Sequence, residues 1–466
     1  MWAEVFREAV DDVGAPGVEA SVAGLDVVHC MSWVYDDPAQ RLADRLGLDG
    51  VRTGTSILAG TAPQRLLDES ALRILRGDSD VEVVVGAEAA ATRHRHQTEG
   101  GLPDWSFPAD EQPEIPVDLD EWYLPTELAH GVVPAYVTFA LLEQARWADH
   151  GGPEFGRGHL TAVLDELNAR AADVPEAWIR ERRSGAELLQ ADPSNRHVSY
   201  PYTVRTTAMP RVDMAAANVL VAHEQADRWG VPPERRLYLR GWGFARDAVH
   251  VAARRDLGSS AGMAAATGQA FQMSGLSVGD VDVFDLYSCF GSAVQFAVDA
   301  LGLDPADPRP LTVTGGLPYH GGPGSNYTSH SLSHLVTEVR EGRAATGLIT
   351  GVGMHMTKHV AALWSVEPGP IAVPLTDGPQ RYGPDDSELP VVADSATGVV
   401  RLRSATTVRM SASDEPFAVV IAELDDGRRC YARSSSAGAV AMVEEDAWPG
   451  AAVQVRPAGP VNELLV

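Results

Sequence analysis

Two stretches of the chain share one pattern of apolar and polar positions. GTAPQRLLDESALRILRGDSDVEVVVGAEA opens at Gly60, and SNYTSHSLSHLVTEVREGRAATGLITGVGM opens at Ser325. In each, a loop runs into apolar residues at helical spacing, and a glycine 17 residues on (Gly77 or Gly342) ends the helix. An apolar run then closes at a second glycine 9 residues further along (Gly86 or Gly351). A glycine just past a helix stops it in left-handed backbone without a Cβ clash, and a short unbroken apolar run reads as a strand buried on both faces. A second pair repeats the order: a helix ending near Gly14 precedes Leu25-Asp26-Val27-Val28, and a helix ending at Gly275 precedes Val281-Asp282-Val283-Phe284. Helices alternating with buried strands predict parallel sheets covered by helices. Two copies predict a pseudo-two-fold axis between two such sheets.

The same patterning divides the chain. Residues 1–91 and 213–236 read as the first copy, and residues 237–366, from LYLRGWG onward, as the second. Residues 92–212 read as an insertion that folds over the sheets, with a polar start (PDWSFPADEQPEIP) and helical stretches such as VVPAYVTFALLEQARWADHG. Residues 367–388 are rich in proline and glycine, a linker composition. Residues 389–466 alternate apolar and polar positions, with Asp426-Gly427 as a hairpin turn, and predict a small, separately folding β-module, a barrel or a sandwich.

Charge and composition narrow the partners. A formal charge of −27 opposes binding to nucleic acid or an anionic membrane. There is one lysine, Lys358, so an anionic ligand would depend on local arginines. No apolar run reaches the roughly 18 residues that a membrane-spanning helix needs. The acidic opening MWAEVFREAVDD is unlike a secretory signal, and a cytoplasmic location is expected. Cys30, Cys289 and Cys430 are far apart without metal-site spacing, so neither zinc nor a disulfide framework is expected.

Four segments, VEVVVGAEA, DLYSCFGSAVQFAVDALGL at 285–303, TGGLPYHGGPGSNY at 314–327 and TGLITGVGMHM, resemble the thiolase superfamily on the branch of the sterol-carrier-protein-type thiolases and thiolase-like proteins. The resemblance spans residues 1 to 366, and the tail is similar to an OB-like domain. It implies an α/β duplicated thiolase fold: two βαβαβαββ-type halves in α-β-α-β-α layers, plus a small C-terminal β-barrel. The pattern starts inside the first helix, so either the start is set late or the strand that opens most members is absent. Acyl-CoA or a related thioester is the implied ligand, with no resident cofactor and no metal. The implied assembly is a homodimer through the thiolase core, or a monomer. An acyltransferase of the acetyl-CoA acetyltransferase type, in lipid metabolism, is the activity implied.

The residues that carry thiolase chemistry do not follow. The nucleophilic cysteine of the family falls on Gly60, the histidine of its GHP motif on Gly322, and its second cysteine within Gly351-Val352-Gly353. An acyl-cysteine route needs a thiolate beside a base. Two readings therefore stand: carbon–carbon chemistry without a thiol, such as retro-aldol cleavage, or a non-catalytic acyl-CoA-binding or scaffold protein.

Candidate site residues follow from both lines of reading. Gly60, Thr61, Gly322 and Ser325 mark helix starts and a loop whose backbone N–H groups suit a thioester carbonyl, or else are simply capped helices. Tyr287, His320 and Asn326 are candidate catalytic groups, with Ser288 and Cys289 secondary. Tyr287 is either an acid or oxyanion donor or a buried, anchored tyrosine. His320 is either a general base or a loop histidine, and Asn326 is a carbonyl ligand or turn chemistry. Cys289 fits a small core residue as well as a nucleophile. Lys358, between His355 and His359, is a Schiff-base candidate or a solvated strand residue. Arg180, Arg182, Arg183, Arg205 and Arg211 are the bases open to the CoA phosphates, or a solvated face.

Overall fold

The structure is a computed structural model that describes residues 1–109, 122–372, 389–411 and 413–466. The expected linker therefore lies mostly outside the described residues, as does the end of the polar stretch that opens the insertion.

The two predicted copies form two sheets. The first sheet has the order β2-β1-β3-β6, from β1 (Gly24–Val27), β2 (Arg52–Thr55), β3 (Val81–Ala89) and β6 (Asp213–Val221). The second has the order β7-β10-β9-β8, from β7 (Tyr238–Arg246), β8 (Val283–Asp285), β9 (Thr346–Gly353) and β10 (Lys358–Ser365). The correspondence is direct. β1 is parallel to β3 as β8 is to β9, and β6 is antiparallel to β3 as β10 is to β9. The second sheet continues to β7, antiparallel to β10, whereas β6 has β3 as its one strand partner among the described residues.

The glycine-terminated helices lie where the spacing places them. α1 (Trp2–Val13) ends at Gly14 and α3 (Ala62–Arg76) at Gly77, both left-handed, while α2 (Pro38–Leu46) precedes β2. Past Gly86 and Gly351 the strands run on, because both glycines sit inside β3 and β9 rather than at their ends.

The insertion supplies α4 (Ala90–Thr98), α5 (Pro125–His130), α6 (Ala135–Asp149), α7 (Gly152–Asp173) and α8 (Gly185–Leu189). α6 is buried nearly all round, and its Phe139, Leu141 and Leu142 join one core with Leu160 and Leu164 of α7. That core also holds Val294, Phe296 and Val298 of α11 (Gly291–Leu301), the helix that follows α9 (His223–Trp229) and α10 (Ala261–Ser274). α12 (Tyr327–Arg340) runs between the sheets, packed on β6 and β9.

The tail is a closed five-stranded barrel, β11 (Gly398–Val408), β12 (Phe417–Glu423), β13 (Arg429–Ser434), β15 (Val461–Leu465) and β14 (Ala452–Ala458), shut by β14 pairing with β11. β13 and β15 are parallel, and α13 (Ala437–Glu444) links β13 to β14, an OB-like arrangement. Closure leaves no edge within the barrel. The expectation of a separable module meets a different packing. Val408, Val419, Ile421 and Tyr431 belong to the main core, and β4 (His197–Ser199) and β5 (Tyr202–Thr203) of the insertion extend the barrel sheet through β11. Tyr431 donates to Glu127, Trp448 to Gln144 and Asn462 N–H to His130, all in the insertion.

Candidate functional site

The helix starts that follow Gly60 and Ser325 meet. The Ala59 N–H donates to the Ser325 hydroxyl at 3.0 Å, tying the loop before α3 to the loop before α12 across 266 residues of chain. The helices proper begin slightly later than expected, with Thr61 and Asn326 at the N-cap positions and no side-chain cap bond at either. Each start lies against the opposite sheet. An ideal Cβ on Gly60 would overlap the Tyr287 hydroxyl and the Val352 carbonyl oxygen, and one on Gly86 would overlap the Asn326 side-chain amide. Only glycine lets the backbone come this close.

Tyr287 follows β8 and is 5% exposed, with its N–H donating to the Thr350 hydroxyl. Burial raises its phenol pKa above the ordinary value, so the hydroxyl keeps its proton and acts as a donor at any working pH. Its ring meets Tyr327 edge-on, 5.5 Å between centroids, and the Tyr327 hydroxyl is 2.5 Å from the Thr314 hydroxyl. His320 lies 6.4 Å from the same ring between centroids, so Tyr287 and His320 share Tyr327 as a neighbour.

His320 is fully buried, and neither ring nitrogen has a partner. It stacks edge-on with His334 at 4.9 Å and His330 at 5.7 Å. Burial, then the two neighbouring imidazoles, lower its pKa to about 2, and burial with His334 lowers that of His330 to about 3. These are neutral imidazoles that accept hydrogen bonds and hold a proton poorly.

The other candidates divide. Ser288 is a support: its buried hydroxyl accepts the Leu317 N–H at 3.2 Å and fixes the glycine-rich loop. The Cys289 carbonyl accepts the Ala208 N–H at 3.1 Å, and burial raises its thiol pKa. Gly322 faces Ala208 and Met209 of the insertion, away from the Gly60 contacts. Thr61 is buried beside Gly353.

The two histidines of the HxxKH stretch are held by neighbouring side chains. His355 is held by Tyr123 at 2.7 Å and Thr138 at 2.8 Å, and His359 by Asp247 at 2.9 Å. Lys358 lies over the Trp122 ring. Among the arginines suggested for CoA phosphates, Arg182, Arg183 and Arg205 are already ion-paired, with Asp165, Glu181 and Asp192. No group of three potential metal ligands is assembled among the described residues.

Sequence reading missed the depth of polar burial here. From Tyr319 to His330, eight buried side-chain atoms lack a partner: the Tyr319 hydroxyl, both His320 nitrogens, both Asn326 amide atoms, the Thr328 and Ser329 hydroxyls and His330 Nε2. Buried polar groups are nearly always satisfied, so such a concentration calls for partners from outside the chain, water or ligand. Glu88 was missed too. Its buried carboxylate accepts the Met31 and Ser32 N–H groups at 2.6 and 2.8 Å beside Gly324, holding a distant loop against the site. A glutamate inside an apolar strand, VEVVVGAEA, was the available signal.

The paired halves, their joined helix starts and the appended barrel define the thiolase-like fold. The chain has the fold of the thiolase-like proteins of the sterol-carrier-protein thiolase branch, with a C-terminal barrel. Among solved structures it is similar, over its whole length and 95% of the other chain, to a monomeric SCP2-thiolase-like protein type 1 from Mycobacterium smegmatis, at 26% identity and a TM-score of 0.84. Neither a protein-family model nor a curated protein sequence matches the chain.

Proposed function

We propose that this protein binds an acyl thioester, acyl-CoA or a close relative, where α3 and α12 begin, and that it does not pass the acyl group through a cysteine. The observation that carries the reading is Asn326: both amide atoms are buried and unpartnered, one residue from the Ser325–Ala59 bridge, at a helix start. A thioester carbonyl there would accept from the Asn326 amide and from unpaired helix N–H groups. Tyr287, held protonated by burial, would donate to the oxygen of an enolate.

In a retro-aldol cleavage the β-hydroxyl passes its proton to water as the carbon–carbon bond breaks, leaving a carbonyl product and a thioester enolate whose α-carbon then takes a proton back from water. Tyr287 fits the enolate. His320 fits a hydrogen-bond acceptor for the β-hydroxyl better than a base that stores the proton, given its depressed pKa. The support against acyl-cysteine is steric as well as chemical, since Tyr287 and Val352 fill the space a side chain at residue 60 would need.

One observation favours a second reading, non-catalytic binding. The cavity of about 950 Å³ is lined by His330 and His334 but not by Gly60, Tyr287 or Asn326, so it does not reach the helix starts. Calorimetric titration with acetyl-CoA and with a β-hydroxyacyl-CoA separates these readings. Binding weakened by Asn326→Ala, together with cleavage of the hydroxyacyl thioester lost in Tyr287→Phe, supports catalysis. Binding without cleavage supports the second reading, and no binding of either thioester overturns both. A monomer is the proposed assembly, following the similar mycobacterial protein. Among the described residues no helix is long and apolar enough to cross a membrane.

A further inference from the structure

Three cations gather beside the start of α3. Lys358, which opens β10, is paired with Arg246 of β7 on one side and with Gly353 of β9 on the other. Directly opposed residues of antiparallel strands share a face, so two like charges stand side by side there, an unfavourable pairing. Phe244 lies two residues before Arg246 and therefore shares that face. The Arg246 guanidinium stands 5.6 Å from the centre of the Phe244 ring, and the Arg65 guanidinium, from near the start of α3, stands 4.7 Å from it. The Lys358 ammonium is 5.7 Å from the centre of the Trp122 ring. All three side chains reach solvent, Arg246 exposed and the other two partly so.

This face adjoins the helix start. A Cβ on Gly353 would stand 3.3 Å from the Lys358 Cβ and 3.5 Å from the Thr61 hydroxyl, and the Arg65 N–H donates to the Thr61 carbonyl at 3.1 Å. Lys358 and Arg65 are thus rooted within two contacts of the N-cap of α3, with Arg246 beside Lys358.

The cluster lacks its counter-charge. Acids outnumber Lys and Arg by 64 to 37 in the chain, and Arg182, Arg183 and Arg205 have each taken a carboxylate. Here Arg65 has only the exposed Glu69, at 3.7 Å, and Arg246 and Lys358 have no ion pair among the described residues. Burial lowers the Lys358 pKa, and the Arg246 charge lowers it further. A cation held against a ring face keeps N–H groups free for an oxyanion.

We propose that Arg65, Arg246 and Lys358 form an anion subsite beside the α3 start that holds an oxyanion group of the thioester ligand, a phosphate of CoA or a carboxylate on the acyl chain. The proposal rests on the thioester reading for its ligand. The shared chemistry is a group of several charged oxygens, which guanidinium forks and an ammonium together can hold.

The test is calorimetric titration of the full chain with two pairs of thioesters. Acetyl-CoA carries phosphates and acetyl-pantetheine none, while succinyl-pantetheine carries a carboxylate and its methyl ester none. In one pair at least, the anionic member binds about tenfold or more tightly, and Arg246→Gln with Lys358→Met brings the two within about twofold. A preference in the first pair assigns the subsite to phosphate, and in the second to carboxylate. Arg246→Lys with Lys358→Arg keeps the preference, and in the parent it shrinks as KCl is raised, a readout that needs no variant. Equal affinity within both pairs, or a preference that survives the neutral variant, overturns the subsite and leaves the thioester reading standing. Binding of none of the four overturns the thioester reading. Sodium pyrophosphate then tests the subsite alone: binding lost in the neutral variant supports it, and no binding, or binding unchanged in that variant, overturns it.

Discussion

The hydroxyl of Tyr287 occupies the volume into which a Cβ on Gly60 would project. The Val352 carbonyl closes the same volume from the opposite strand, so residue 60 has no room for a side chain of any kind. Gly60→Ala and Gly60→Cys should therefore each destabilise the protein by about 1–3 kcal/mol, the usual range for overpacking a filled interior. Tyr287→Phe should relieve little of it, because the ring carbon bearing the hydroxyl also lies within overlap. Urea midpoints of the two single variants and of the pair check this, and a Gly60→Cys protein as stable as the parent would show that the loop yields.

Tyr287→Phe keeps the ring that packs edge-on against Tyr327 and removes only the donor. Losing one oxyanion donor costs about 3 kcal/mol in the transition state, so any thioester turnover should fall roughly a hundredfold or more while the fold is unchanged. Steady-state kinetics on a β-hydroxyacyl-CoA and a near-UV dichroism spectrum together test it. Loss of the near-UV signal would mean the hydroxyl is structural.

His320, His330 and His334 all have lowered pKa values, the first two at about 2 and 3. Unfolded histidines take up protons below about pH 6.5, while these, folded, do not, so the unfolded chain binds more protons. Stability is then present above about pH 6.5 and is lost as pH falls below it, by about 2 kcal/mol per fully excluded histidine at pH 5. Glu143 and Asp68, raised to about 7 by burial, act the other way, losing stability as pH rises from about 4 toward 7. The difference between parent and His320→Gln removes that opposing effect. Its slope between pH 6 and 4.5 should be about 1.4 kcal/mol per pH unit, read from urea unfolding at each pH, and parallel curves would contradict the assignment.

The two sheets, their glycine-stopped helices and the barrel were legible because each rests on local periodicity: Gly77, Gly86, Gly342 and Gly351 recur at matched spacing. The meeting of Ala59 with Ser325 was legible for the same reason, through the duplication. Spacing does not report what fills a contact. That Tyr287 fills the place beside Gly60, that Asn326 covers Gly86, and that Tyr327 neighbours both Tyr287 and His320 depend on side chains from distant segments. Nor does the spacing show that Arg182 and Arg205 pair with Asp165 and Asp192, carboxylates interleaved in the same insertion.

Expression of residues 389–466 alone should give a less stable module than a closed barrel suggests. Isolation uncovers Val408, Val419, Ile421 and Tyr431, and it removes the groups of the insertion that satisfy Tyr431, Trp448 and Asn462. Each polar group left without its partner costs about 1–3 kcal/mol if it stays buried. Thermal unfolding of the fragment against the full chain measures it, and a fragment that melts with the full chain would show that the barrel stands alone.

The proposed chemistry passes no acyl group through a thiol. Burial raises the pKa of all three cysteines, Cys30 and Cys430 to about 11 and Cys289 further, so none is a thiolate near neutral pH. Intact-mass spectrometry after incubation with acetoacetyl-CoA and acetyl-CoA tests this most directly. The expected spectrum is the unmodified mass alone, with no acetyl-CoA released from acetoacetyl-CoA when free CoA is supplied, and an acetyl adduct mapped to Cys30, Cys289 or Cys430 would contradict the account.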